Sequence, residues 1–198
     1  MDKSEVFRAL REMDACASAR MWAAYAKGTT ARELWEECPD ASWLVWLLVY
    51  KIADGDIPEW PDRKAVLVLL CDLVEEFAVP HAIESEEFLR NFLKETRACI
   101  SEKLSLVEFE TCHYREVAIL RTLGIDLGDD SNINACVYQL AARMHTLLKL
   151  GLTITTTTIA QFMVMYTARV VAHGTNVTIQ DALDNIAHYI RTRIDVPL

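Results

Sequence analysis

The sequence predicts an all-α fold, a compact bundle of eight or nine helices. Three observations predict it. Apolar residues recur at three- and four-residue spacing along nearly the whole chain, the period of a helix with one buried face. Helix-start signals, Ser or Thr followed three residues later by an acid, stand at Thr30/Glu33, Ser105/Glu108 and Thr178/Asp181. Strand propensity is confined to Thr153–Thr158, and a lone strand has nothing to pair with.

Val6, Leu10, Met13 and Ala17 form the first stripe. Ala15 to Ala26 is alanine-rich, with Trp22 and Tyr25 as its bulky groups, and alanine is the best helix former. Gly28 is expected to end this helix in a left-handed conformation. Thr30 with Glu33 then opens a short helix carrying Trp35. Cys38-Pro39 is a hinge, because proline lacks an amide hydrogen and suits a helix start. Trp43 to Tyr50 follows, almost wholly apolar, so that Trp35, Trp43 and Trp46 fall within a dozen residues. At helical spacing these tryptophans are expected to be core. The prolines and glycine of 54–62 make a loop.

Ala65 to Phe77 resumes as a helix, ending before Pro80. Ser85 is expected to cap the next, which runs to about Ile100. Ser105 and Glu108 open a helix with the stripe Leu106, Phe109, His113, Val117 and Leu120, ended by Gly124; Asp126 to Asp130 is a turn. The stripe Ile133, Val137, Leu140, Met144 and Leu148 predicts a helix from about Asn132 to Lys149, ended by Gly151. Thr153 to Thr158 is expected to be an extended linker in which Thr157 or Thr158 caps a helix reaching Gly174. The last helix starts at Thr178 and buries Ile179, Leu183, Ile186, Ile190 and Ile194.

With 198 residues, 52% of them apolar, the chain has enough apolar surface for a core without metals or disulfides. A seam near Glu102–Ser105 divides it into a Trp-rich acidic helical subdomain, 1–103, and a second helical subdomain, 104–198. No linker composition marks the seam, so two packed subdomains and a single domain both fit. The net charge is −9; residues 1–100 hold 19 acids against 12 bases, and residues 101–198 hold 10 against 8. Lys and Arg do not cluster, which argues against direct nucleic-acid binding. An acidic face suits either solvation or a partner with a basic surface.

Six cysteines stand at least thirteen residues apart, without the C-x-x-C spacing of zinc or redox sites. Free thiols in a reducing cytoplasm are expected, as of a bacterial host cell. The longest apolar run is eight residues, against about twenty for a membrane span.

Glu110-x-x-His113 has the spacing of one half of a di-iron helix motif, but a second half is missing from the sequence. Cys112 and His113 are adjacent, and neighbours on a helix point about 100° apart. Neither Gly-rich phosphate loops nor nucleophile elbows nor zinc-protease motifs occur. No cofactor, metal or catalytic residue is therefore expected. Asp54, Asp56 and Glu59 lack the twelve-residue calcium pattern. The same loop has a second meaning. Trp60, held near Pro58 and Pro61 and ringed by Asp54, Asp56, Glu59 and Asp62, is the candidate partner-binding surface, since aromatics on rigid loops are common anchors. The competing expectation makes Trp60 a lid folded back on the core.

Residues 14–74 also carry Ala15-Cys16, Ala19, Trp22, Trp35, Cys38 and Trp43-x-x-Trp46-Leu47. This pattern resembles a family of uncharacterised helical proteins of bacteriophages and bacteria. Asp40-Ala41-Ser42 departs from it, where the family usually has a basic residue, glycine and aspartate. The resemblance implies a helical domain in a phage or mobile-element setting and brings no activity with it. The expected function is therefore a non-enzymatic protein-binding protein that modulates a host pathway such as a bacterial defence system. A self-associating assembly protein, working as a homo-oligomer, is the alternative. An enzyme with a site gathered from scattered Cys, His and acidic residues is the third.

Overall fold

The computed structural model describes residues 1–54, 60–111 and 132–196, the side chain of Asp54 excepted. It is all-α. The helices are α1 (Lys3–Glu12), α2 (Ala17–Tyr25), α3 (Ala31–Glu37), α4 (Ala41–Asp54), α5 (Arg63–Leu73) and α6 (Glu86–Ile100). They are followed by α7, whose described residues are 106–111, and by α8 (Ile133–Leu150), α9 (Thr157–Gly174) and α10 (Ile179–Arg193). Among the described residues there is no strand, only an isolated bridge between Asp2 and Thr30. The expected turn at 126–130, with Gly124, Cys112 and His113, lies outside the described residues.

Helix α9 is the hub, packed by α4, α5, α8 and α10. It buries Ala160, Met163, Val164, Ala168, Val170 and Val171. One continuous core runs from Trp35 to Val196. The expected division at 103/104 falls in the turn after α6, but the core does not part there: α9 and α10 of the second half pack directly on α4 of the first.

Helix α4 explains the tryptophan-rich run. Ala41, Leu44, Val45, Leu48, Val49 and Ile52 are buried at the spacing of one helical face, which meets α9 and α10. Trp43, Trp46, Leu47 and Lys51 share the other face and look toward α1–α3. A helix apolar on all sides is one covered on all sides. Trp43 and Trp46 are accordingly half-buried rather than core; Trp35, 4% exposed, is the tryptophan that is fully enclosed.

The helix ends follow local chemistry. Reciprocal capping boxes form at Thr30/Glu33, Ser105/Glu108 and Thr178/Asp181, and a further one at Asp2/Glu5. Gly151 ends α8 with φ 72°. Gly28 behaves differently from expectation. Helix α2 stops earlier, at Tyr25, with Ala26 extended, and Gly28 has no positive φ. Its role is close approach: a Cβ there would sit 2.9 Å from the Cβ of Glu33 and 3.0 Å from the Leu34 amide.

Two further elements depart from expectation. The helix begun at Arg63 does not stay α-helical to Phe77; it widens into a π turn over Val74–Ala78 and tightens into a 3₁₀ turn over Val79–His81. Pro80 has no N–H to continue the ladder onto the Glu76 carbonyl. Arg97 of α6 braces this junction, donating to Asp72 at 2.7 Å and pairing with Glu75 at 2.5 Å. The threonine run is a 3₁₀ turn, Ile154–Thr156, leading straight into α9, with the Thr156 hydroxyl bonded to the Gly151 and Thr153 carbonyls. Ser85 precedes α6 without capping it; its hydroxyl bonds the Asn134 side chain on α8 instead.

Candidate functional site

Helices α1–α3 form a thin layer over the outer face of α4. The layer is tied at its edge by backbone bonds, from the Lys3 amide to the Thr29 carbonyl at 2.8 Å and from the Ala31 amide to the Met1 carbonyl at 3.0 Å. The Lys3 ammonium also donates to the Ala26 carbonyl. At its far side Arg191 of α10 donates to the Cys38 carbonyl at 2.7 Å, a cation placed at the C-terminal end of α3 where carbonyls lack helical partners.

The layer is loosely filled because of its composition. Helix α1 has no fully buried residue, and α2 buries only Ala19 and Ala23. These small side chains face bulky ones: Trp22 and Trp43 meet with ring centroids 6.0 Å apart at 50°. The result is an apolar cavity of about 120 Å³. Leu10 of α1 and Met13 at its C-cap line it, with Trp22 and Ala23 from α2, Leu34 and Trp35 from α3, and Trp43, Trp46 and Leu47 from α4. Lys51 has the one charged side chain among its described lining residues. Cys38 also lines it, and burial pushes its thiol up to about 12, so it is a neutral thiol rather than a nucleophile at neutral pH.

The outer face of α2 is the second feature. Met21 is 62% exposed and Tyr25 85% exposed. Four residues apart, they stand one above the other on the same face. With Ser18, Trp22, Ala26, Lys27 and Glu37 they border a shallow open groove. Isolated exposed hydrophobes are ordinary, but an adjacent pair on a nine-residue helix beside a groove is a patch. In the sequence Tyr25 reads only as a bulky group of that helix, and Met21 carries no signal of its own.

The expected loop surface is divided. Asp56 and Glu59 lie outside the described residues, as does the side chain of Asp54. Trp60 is half-buried against the core, and its indole N–H donates to the Leu48 carbonyl at 3.4 Å. The Asp62 carboxylate accepts the Ala65 amide at 2.7 Å as the N-cap of α5. Both described residues thus hold structural positions at the join of α4 and α5.

Elsewhere, Glu110 accepts from Lys149 at 3.1 Å and lies 3.3 Å from the His145 imidazole. The Lys149 bond, then His145, holds its carboxyl below the usual range. Among the described residues no three His, Cys, Asp or Glu side chains gather as a metal site, and no helix is long and apolar enough to cross a membrane. The chain matches no protein-family model, no curated protein and no solved structure.

Proposed function

We propose that the protein is a non-enzymatic binding module that engages a protein partner through the outer face of α2. One observation carries this: Met21 and Tyr25, 62% and 85% exposed, form an apolar pair at the edge of a groove. Tyr and Met are enriched in protein interfaces, and large aromatic anchors supply most of the binding energy. The layer from Asp2 to Glu37 holds seven acids and six bases. The contact is therefore apolar at its centre with a rim of mixed charge, and the acidic surplus of the chain lies outside it. The setting, a phage or mobile element acting on a host pathway such as a defence system, is supported by the resemblance of residues 14–74. The test is affinity capture by the wild-type chain and by Tyr25→Ala and Met21→Ser variants, with unfolding midpoints measured alongside. A self-associating assembly protein would instead show the same variants shifting its own oligomeric state in sedimentation.

A further inference from the structure

We infer that the cavity between α4 and the α1–α3 layer is a binding site for a small single-ring aromatic acid. The site lies beneath α2, shares Trp22 with the groove beside Met21 and Tyr25, and does not depend on the partner-binding proposal.

The volume sets the size of the guest. Apolar cavities of roughly 150 Å³ stay dry and take up a benzene-sized ring, and this one is about 120 Å³. A single ring fits within that volume. The walls set its chemistry. Trp22, Trp35, Trp43 and Trp46 line it, and aromatic rings pair best offset or edge to face. Trp22 and Trp43 already stand tilted by 50° with centroids 6.0 Å apart. Met13 adds a polarizable sulfur, which favours ring edges. Water gains little here, because it needs two to four polar partners and the walls are almost wholly apolar.

Lys51 sets the charge. It is half-buried, lies one turn beyond Leu47 on the same face of α4, and is the one charged side chain among the described lining residues. A carboxylate on the ring would meet its ammonium while the ring enters among the tryptophans. This is the usual plan of a small-molecule site: an apolar enclosure with one polar group that fixes orientation.

The experiment uses the whole chain and two probes, phenylacetate and toluene, followed by calorimetry and by the fluorescence of the wall tryptophans. Phenylacetate should bind with a Kd on the order of 0.1–1 mM, in keeping with a ligand of about ten heavy atoms. Lys51→Met should weaken phenylacetate about fivefold and leave toluene unchanged. Ala23→Leu, which fills the cavity, should abolish binding of both; Ala9→Leu serves if that variant does not fold. Tyr25→Ala should bind both probes as wild type does, which separates this site from the α2 face. Failure of the folded wild-type chain to bind either probe overturns the proposal, as does undiminished binding by the folded cavity-filled variant. Toluene bound as tightly as phenylacetate, or no effect of Lys51→Met, overturns the assignment of an acid.

Discussion

Trp22 of α2 and Trp43 of α4 meet with their ring centroids 6.0 Å apart at an angle of 50°, and this pair joins the N-terminal layer to the helical core. Both rings are half-buried, so each contributes apolar area on one side while the other side borders the cavity. A tilted aromatic pair contributes about 0.5–1.5 kcal/mol beyond its buried area. In a double-mutant cycle, Trp22→Ala and Trp43→Ala should show a coupling energy of that size in urea unfolding. Strict additivity would mean that the layer is held by its backbone edge and not by the rings.

Trp60 tests the alternative binding surface. Its N–H is bonded to the Leu48 carbonyl and its ring packs on the core. Trp60→Phe keeps most of the packing and removes the donor, at a cost of about 1 kcal/mol. Trp60→Ala should lower the unfolding midpoint further and leave partner capture intact. Loss of capture at an unchanged midpoint would return the partner surface to this loop and its acids.

The capping acids give a pH dependence. Hydrogen bonds from Thr29, and then Thr30, hold the Glu33 carboxyl below its usual value. Ser105 does the same for Glu108, and Thr178 for Asp181. Each group binds its proton less readily folded than unfolded. The stability it supplies is complete above the ordinary values, 4.5 for Glu and 3.8 for Asp, and is lost as pH falls through the lowered folded value. The combined Glu33→Gln, Glu108→Gln and Asp181→Asn variant should be less stable near neutrality and lose less stability between about pH 5 and 3. Parallel acid limbs for the two proteins would contradict these caps.

The thiols should separate by burial. Cys16 is exposed, with its sulfur accepting the Ala19 amide at 3.5 Å. Burial pushes Cys38 and Cys71 up to about 12, and the thiolate is the reactive form. Maleimide labelling of the native protein, mapped by peptide mass spectrometry, should modify Cys16 first. Cys38, Cys71 and the buried Cys136 should react only after unfolding. Early labelling of Cys38 would mean that the α1–α3 layer opens readily.

The sequence is most legible where the determining residues are neighbours. A capping box is complete within four residues, so Thr30/Glu33, Ser105/Glu108 and Thr178/Asp181 can be read directly, and the end of α8 at Gly151 likewise. Gly28 could not be read this way, because what it must accommodate is the packing of Glu33 and Leu34 against it. The Arg191–Cys38 contact joins residues 153 apart and leaves no local trace. Helix α4 shows why the site was hidden. Its two apolar faces give one unbroken hydrophobic run, and periodicity alone does not say that Val45, Leu48 and Val49 are buried in the core while Trp43, Leu44 and Leu47 line a cavity. Met21 and Tyr25 carry the same apolar signal as buried residues. Only the placement of α2 at the outside of the layer distinguishes them.

The proposed partner contact at the exposed Met21–Tyr25 face of α2 is tested by quantitative affinity capture with wild type and with Tyr25→Ala, paired with thermal unfolding of both. One stoichiometric protein should be retained by wild type and released by Tyr25→Ala, a loss of about 2 kcal/mol or more for an aromatic anchor, with the midpoint unchanged because Tyr25 is 85% exposed. Retention of that protein at wild-type affinity by Tyr25→Ala and by Met21→Ser would contradict it.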